Sequence, residues 1–236
     1  MLPINFGAYR QFSVPNYHLI GSCKTLGKTI IMSKDKFIQI ASKIIENAES
    51  LFADAKLLDR NERKARAYTL YQLSIEEVGK AVQAVLYLVN KWYDSQEKID
   101  EFFGNSFFRN HKAKTLKSRG LDILVAEVVA MGKREIALKI LNESIEGSEK
   151  INELNDMKNH SLYTSVVDGV VKSPSELIVN DDLNKIRLVS TARLNAGIAF
   201  VGIYLNNIEE ATSYFEKNPI EEITPEEMAK DFWSKF

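Results

Sequence analysis

Hydrophobic residues recur at helical spacing from residue 33 onward. In "KFIQIASKIIENAESLFADAKLL" an apolar side chain returns every three or four positions, which predicts an amphipathic α-helix. Ser33 suits the N-cap of this helix, and Asp35 places a carboxylate in the first turn, where the helix dipole stabilises it. The polar stretch "DRNERK" then interrupts the pattern and predicts a break.

A second, longer helix is predicted from about residue 61 to about residue 93. It contains no proline, and Gly79 is its one weak point. Apolar side chains cover much of its circumference, which indicates a central position in a helical bundle.

Shorter elements are predicted next. The stretch "DSQEKIDEFFGNSFF" predicts a short helix and a loop that ends near Gly104, and one or two helices are predicted between about residues 109 and 158. The stretch "SLYTSVVDGVVKSP" mixes β-branched residues with Gly169 and Pro174, which predicts a loop that can hold a short strand.

The C-terminal part of the chain returns to helical spacing. A long helix is predicted from Asp181 to about Glu216. In the closing stretch "TPEEMAKDFWSKF", Thr224 is followed by Pro225 and by Glu227, the signature of a capped helix start.

Together these elements predict an all-α fold, a bundle of four to five main helices. We divide the chain into an irregular N-terminal extension at residues 1–32, the bundle at residues 33–217 and a C-terminal capping helix at residues 218–236. The extension is irregular because prolines and glycines punctuate it.

Composition narrows the classes of function. The 31 cationic and 32 anionic residues leave a formal net charge of -1, so no global positive field favours nucleic acid. Cys23 is the single cysteine, which excludes an intramolecular disulfide and favours the reducing cytoplasm. Because no secretory signal and no long uncharged apolar run is seen, we expect no membrane segment. No metal or cofactor motif is found, so we expect no cofactor.

The central helix carries three charged residues close together in "YQLSIEEVGKA". With about 100° per residue, Glu77 falls inside the apolar stripe, whereas Glu76 falls on the polar side and Lys80 on the boundary. The spacing predicts a surface ion pair between Glu76 and Lys80. Glu77 needs a partner or a raised pKa, and it is either half of a structural buried pair or a site residue tuned by burial.

A second polar cluster lies in "FFRNHKAK". His111 and Lys114 share one helical face because they are three residues apart. The cluster is either a solvated basic turn or a cationic site for phosphate or for Glu77.

The third cluster, in "NDMKNHSLY", contains Lys158, Asn159, His160 and Tyr163. It lies at a predicted helix end, where cations complement the helix dipole and asparagine serves as a cap. That structural role and a catalytic role both remain open.

The three stretches "YQLSIEEVGKA", "NHKAK" after an aromatic pair, and "KNHSLYTS" occur in this order. The combination resembles the AbiV family of bacterial abortive-infection proteins, over roughly residues 33–168. The resemblance implies a HEPN-like helical bundle, a role in defence against bacteriophage, and a homodimer. Many HEPN domains are metal-independent ribonucleases, so the resemblance also implies RNA as a candidate target.

The sequence departs from the HEPN ribonuclease motif in the segment that would hold the catalytic residues. That motif has an arginine, often followed by asparagine, four to six residues before a histidine. Here Lys158 and Asn159 take the first two positions, Tyr163 takes the place of the histidine, and His160 comes too early. Lysine lacks the bidentate fork of arginine, and tyrosine is a poorer base than histidine near neutral pH.

RNA cleavage without a metal needs a base, an acid and a cation near the phosphate. Such a site could be assembled from His111 or His160 with Lys114, Lys158 and Tyr163, with Glu77 orienting one of the cations.

Three readings of the function therefore follow. The first is a metal-independent endoribonuclease that acts on host or phage RNA. The second is a non-catalytic defence protein that binds a phage or host protein, with the polar cluster structural or a switch. The third is a helical adaptor unrelated to phage.

Overall fold

The computed structural model describes residues 32–103, the helical residues His111, Lys114, Thr115, Ser118 and Leu121, and residues 151–217. We call those five helical residues the middle positions. The first part contains α1 (Lys34–Arg60), α2 (Lys64–Val89), a 3₁₀ turn (Trp92–Asp94) and α3 (Gln96–Phe103). The last part contains α4 (Ile151–Leu162), β1 (Ser165–Val167), β2 (Val170–Lys172), α5 (Pro174–Leu177), α6 (Asn180–Asn206) and α7 (Ile208–Lys217).

The predicted all-α fold is confirmed, because helices make up most of the structure and the two strands form one small hairpin. The first helix begins where the sequence indicates. Ser33 is its N-cap, and the side-chain oxygen accepts a hydrogen bond from the backbone N–H of Lys36 at 3.3 Å. Asp35 lies in the first turn.

Helix α2 occupies the centre of the bundle, as its all-round apolar pattern indicates. Of its 26 residues, 20 are buried. It packs against α1 along its length and also contacts α4 and α6. Its C-terminal half is almost entirely apolar and joins the aromatic rings of Phe37 and Phe102 in the larger of two core clusters. A side chain on any face of α2 therefore meets another part of the protein.

The bounds of α2 differ from the predicted 61–93. Helix α1 runs through Arg60, and Glu62 takes a left-handed conformation with φ of 57° in the turn that follows. At the other end Lys91 is left-handed with φ of 54° and leads into the 3₁₀ turn. These reversals end the α-helical hydrogen bonding, although the apolar spacing continues past them.

The long helix predicted from Asp181 to about Glu216 is two helices. Helix α6 ends at Asn206, and Asn207 turns the chain with its side-chain amide donating to the carbonyl oxygen of Ile203 at 2.8 Å. Asparagine competes for backbone bonds in this way at helix ends, and the apolar pattern resumes in α7 without showing the break.

The predicted loop with a short strand is a complete β-hairpin. Val166 pairs with Val171, and Val167 pairs with Val170, in antiparallel register. Asp168 and Gly169 form the turn with φ of 53° and 76°. Two left-handed residues are the requirement of a type I′ hairpin turn, and Asp-Gly is one of its preferred pairs.

Several predicted elements lie outside the described residues. These are most of the N-terminal extension, most of the helices predicted between residues 109 and 158, and the C-terminal capping helix. The division into three parts stays a prediction for that reason.

One helix within the described residues is long and apolar enough to cross a membrane. It is α6, whose best 18-residue window has a mean hydropathy of 1.4 and is 44% buried inside the bundle. A core helix passes the same test: α6 packs against α2, and its buried Arg193 side chain donates to Ser118. This is weak support for a membrane span, and the cytoplasmic location stays an expectation.

Candidate functional site

The carboxylate of Glu76 lies inside the bundle and meets three basic side chains from two other segments. Its side chain is 1% exposed. The Nδ1 atom of His111 lies 2.5 Å from Oε2, and the ammonium group of Lys114 lies 3.2 Å from the same oxygen. The ammonium group of Lys158 donates to Oε1 at 3.0 Å. We call these four residues the Glu76 cluster.

The histidine forms the outer edge of the cluster. The His111 side chain is 48% exposed. Since an ionised carboxylate can only accept hydrogen bonds, Nδ1 carries the proton toward Glu76. In the neutral imidazole this leaves Nε2 as a hydrogen-bond acceptor. The arrangement orients the ring in the way that a carboxylate orients a catalytic histidine.

The two lysines of the cluster are buried, each with a side chain 5% exposed. Burial lowers the pKa of Lys114, because a charged ammonium loses its hydration, and the nearby carboxylate of Glu76 offsets only part of that loss. Around the single carboxylate of Glu76 the cluster gathers two lysine side chains and one imidazole. Basic groups outnumber acidic ones among these four residues, which suits an anion at the exposed edge of the cluster.

The prediction of a surface ion pair between Glu76 and Lys80 is wrong, because Glu76 is the more deeply buried carboxylate, with its side chain 1% exposed. Glu77 pairs with Lys80 three residues along α2, and both side chains are largely buried, 13% and 14% exposed. This agrees with the structural buried pair that the sequence offers as one role of Glu77. The helical projection ranked the faces of α2 by polarity alone, whereas the bundle covers the more polar face.

A stripe of polar and small residues runs along α2, and Glu76 is part of it. The members recur at alternating intervals of three and four residues and are all buried. They are Thr69, Gln72, Glu76, Gly79 and Gln83. This is the spacing of one helix face packed against other helices, so the stripe marks an internal contact.

Gly79 allows the middle positions to approach α2 closely. A Cβ atom at this position would lie 2.0 Å from the carbonyl oxygen of Lys114 and 3.1 Å from the backbone nitrogen of Ser118. Only glycine fits a backbone contact this close. The contact lies one helical turn from Glu76 and brings Lys114 within reach of the carboxylate.

Hydrogen bonds on either side of Glu76 hold the neighbouring segments in place. The side-chain amide of Gln72 donates to Thr115 at 3.0 Å, and Arg193 donates to Ser118 at 3.2 Å. Toward α4, the hydroxyl groups of Thr69 and Ser161 lie 2.6 Å apart. The cluster is therefore set in a network of buried polar contacts that rigidifies its geometry.

The structure separates the residues of the late cluster. Lys158 points inward to Glu76, and Ser161 lies on the same inner face of α4. Asn159 is exposed, and His160 lies about 200° around the helix from Lys158. Tyr163 follows the end of α4 and is 65% exposed. Of the candidate catalytic residues, the structure thus brings together His111, Lys114 and Lys158.

Several contacts of the site were missed in the sequence. Gly79 was treated as a weak point of the helix, yet it allows the close contact with Lys114. Gln72 and Thr115 were not singled out, although they bond to each other. The three-and-four spacing of the α2 stripe is the signal that could have found the buried polar face.

Within the described ranges, no three His, Cys, Asp or Glu side chains come together as a cation site. The donor set around Glu76 consists of one carboxylate, one imidazole and two ammonium groups, and the ammonium groups would repel a metal cation.

Comparison with known proteins identifies the family. The sequence matches the HEPN family described as AbiV over residues 36–193, about two thirds of the chain, and the match includes all four residues of the Glu76 cluster. No curated protein and no solved structure is significantly similar to the chain. The family match confirms the resemblance found in the sequence, and this chain belongs to the AbiV family of HEPN proteins, a family of the abortive-infection type.

Proposed function

We propose that this chain acts in anti-phage defence by cutting RNA at a metal-independent site built on His111. The observation that carries the proposal is the 2.5 Å contact between Nδ1 of His111 and the buried carboxylate of Glu76, with half of the imidazole exposed. A histidine fixed by a buried carboxylate and open to solvent on its other side is suited to transfer protons.

The chemistry follows from this orientation. Nε2 of His111 accepts the proton of a ribose 2′-hydroxyl while the 2′ oxygen forms a bond to the adjacent phosphorus. The imidazolium then returns the proton to the 5′ oxygen as its bond to phosphorus breaks. The products are a 2′,3′-cyclic phosphate and a 5′-hydroxyl end. The carboxylate of Glu76 stabilises the imidazolium that forms between the two steps.

The two lysines supply the positive charge. Lys114 and Lys158 lie within 3.2 Å of the same carboxylate, and both are buried. In a poorly hydrated site their charges act over a longer range than in water. They favour the phosphorane, which carries more negative charge than the starting phosphodiester.

The proposal is tested with purified protein and a fluorescently labelled single-stranded RNA, in the presence of a metal chelator. We expect the wild type to produce cyclic phosphate ends, and His111→Gln to lose at least about a hundredfold in rate, the scale of general acid–base catalysis. His160→Gln is the matched control, because it removes a histidine that faces away from the cluster. Equal rates for His111→Gln and the wild type would contradict the proposal.

A second candidate function is favoured by the burial of both lysines. Each is 5% exposed and already paired with Glu76, so the cluster also fits a structural role in a non-catalytic protein that binds a phage or host protein. Intact RNA in the chelator assay, with phage protection retained in cells, would favour this candidate. RNA binding through phosphates should also weaken steeply with salt, whereas an apolar protein contact should not.

A further inference from the structure

The helical turn that carries His111 is held through its backbone as well as through its imidazole ring. The hydroxyl group of Thr115 donates to the carbonyl oxygen of His111, one turn earlier, at 3.1 Å. The same hydroxyl oxygen accepts a hydrogen bond from Nε2 of Gln72 at 3.0 Å. Thr115 and Gln72 are both buried, at 2% and 1% exposure. Two successive bonds, shielded from water, therefore link α2 to the backbone of His111.

The directions of these two bonds follow from the number of protons available. A threonine hydroxyl has one proton. Because that proton goes to the carbonyl oxygen of His111, the hydroxyl oxygen can only accept from Gln72, which must present its amide nitrogen. The amide oxygen of Gln72 is buried and has no hydrogen-bond partner among the described residues. A buried acceptor without a partner lowers stability, and such costs are typical of positions that serve function.

Thr115 differs from a threonine that only bonds within its own helix. Thr191 of α6 shows the ordinary arrangement: it is exposed, and its hydroxyl donates to the carbonyl oxygen four residues earlier at 2.7 Å. A bond of this kind joins neighbouring turns of one helix. Thr115 makes the same bond and also receives Gln72, which lies one turn before Glu76 on α2. The backbone and the ring of His111 are therefore fixed to the same helix.

We propose that Thr115 is a positioning residue for His111, which sets the imidazole against Glu76 by relaying the contact of Gln72 to the backbone. Thr115 acts through His111, because a side chain buried to this extent does not reach RNA in solution. A misplacement of about 1 Å can cost an enzyme about a hundredfold in rate. The inference rests on the proposed RNA cleavage for its kinetic consequence, whereas the orientation of the ring can be measured without RNA.

The kinetic test compares two substitutions of Thr115 in the labelled RNA assay. Thr115→Val keeps the size of the side chain and removes the hydroxyl, so kcat should fall about tenfold while KM changes less than about twofold. Thr115→Ser keeps the hydroxyl and should retain kcat within about twofold. Thr191→Val is the matched control, because it removes an ordinary helical bond of α6 and should leave both constants unchanged.

The orientation test uses nitrogen-15 NMR of the histidine side chains at a pH where the imidazole is neutral. The wild type should hold the proton of His111 on Nδ1, toward Glu76, and the signals that His111→Gln removes identify this ring. Thr115→Val should give a mixture of the two tautomers, because the ring is no longer held against the carboxylate. Thr115→Ser should give the wild-type spectrum.

A substitution at the other end of the relay covers the case in which Thr115→Val does not fold. Gln72→Met removes the amide donor and leaves the bond from Thr115 to His111, so kcat should fall by a smaller factor, about threefold, and the tautomers should mix. Circular dichroism melting curves establish which variants are folded. The folded variants then decide the inference.

Three results would overturn the inference. They are a wild type without the Nδ1 tautomer at His111, a folded Thr115→Val with unchanged kcat and tautomer, and equal losses in Thr115→Ser and Thr115→Val. Uncut RNA with the wild type would contradict the proposed function instead. The NMR comparison alone then decides the inference: mixed tautomers in Thr115→Val support it, and an unchanged tautomer overturns it.

Discussion

The Glu76 cluster and the β-hairpin lie on either side of the end of α4. Globular proteins usually bury apolar side chains and expose charged ones. The cluster departs from this rule by burying charged side chains, and the hairpin departs from it by exposing apolar ones. The cluster buries one carboxylate and two lysine side chains in the bundle, with Lys158 of α4 among them. The hairpin, only a few residues later, leaves Val166 and Val171 each 68% exposed. Buried charge and exposed apolar surface are the informative departures from the general rule.

Comparison of the two regions indicates where a substitution should affect the stability of the fold. In the cluster, the charge of each buried group offsets the cost of burying its partners. Removal of one group therefore leaves a buried charge without its counter-charge. In the hairpin, each valine contacts little of its own chain, so its removal changes the monomer little. We therefore expect large effects on stability at Glu76 and small ones at Val171.

The largest expected effect is at Glu76. Glu76→Gln should lower the free energy of unfolding by about 3–5 kcal/mol, because two buried ammonium groups lose their counter-charge. Urea denaturation measures the change. Glu46→Gln is the matched control, since its pair with Lys43 lies exposed within one helix and should contribute about 1 kcal/mol or less. Equal losses in the two variants would mean that the cluster does not depend on Glu76.

The next effect is at Gly79. Gly79→Ala should lower the free energy of unfolding by about 1–3 kcal/mol, because the new methyl group would overlap the backbone of Lys114 and force the segments apart. Gly202→Ala is the control: among the described residues, no atom beyond its own stretch of α6 lies within 4 Å of its Cβ position. There the better helix propensity should raise stability by about 0.5–1 kcal/mol. Thermal melting of both variants would show opposite signs, and a neutral Gly79→Ala would contradict the close contact.

The third effect depends on pH and concerns Lys114. Burial lowers the pKa of this lysine in the folded state below its ordinary value of 10.5. Between the folded and unfolded pKa values the unfolded chain binds more protons, so the contribution of Lys114 to stability rises with pH in that window. The stability of Lys114→Met relative to the wild type should therefore fall between neutral pH and pH 10.5.

Urea denaturation of both proteins at several pH values checks this prediction. Buried tyrosines also affect stability in the alkaline range, and burial raises the pKa of Tyr71 to about 12. Their contribution is common to both proteins and cancels in the difference. A difference in stability that does not change with pH would show that burial does not disfavour the charged form of Lys114.

The smallest expected effect is at the hairpin. The double variant Val166→Thr/Val171→Thr keeps β-branched side chains and should change the free energy of unfolding by less than about 0.5 kcal/mol, the usual range for exposed positions. A loss above about 2 kcal/mol, on the scale of burying an apolar side chain, would show that the valines are part of the monomer core. Chemical denaturation in dilute solution, where association is weakest, makes the measurement.

The fold was predictable to the extent that local patterns dictate it. Apolar spacing and the Ser33 cap correctly predicted the start of α1, and the all-round apolar character of α2 correctly placed it at the centre. Two predicted helix ends, near residue 93 and near residue 216, were wrong because single residues decide them. The left-handed conformation of Lys91 prevents α2 from continuing, and Asn207 divides α6 from α7. Such turns interrupt backbone hydrogen bonding without changing the apolar period.

The candidate site was predictable in its residue types but not in their pairing. The three stretches that contain Glu76, His111 and Lys158 were singled out in the sequence, and the contacts among them join residues 35 and 82 positions apart. No local spacing specifies a contact over such distances. The placement of Glu76 on the surface failed because a helical projection compares faces of one helix and contains no information on its neighbours.

The sequence by itself determined the helical class, the family and the residue types available for chemistry, because these depend on periodicity and on ordered motifs within single segments. Only the tertiary structure decided that Glu76 is buried, that Lys158 points inward while Tyr163 points to solvent, and that the valines of the hairpin stay exposed. The physical reason is that burial depends on what packs against each face of an element. That is set by contacts between segments distant in the chain, such as the approach of Lys114 to Gly79.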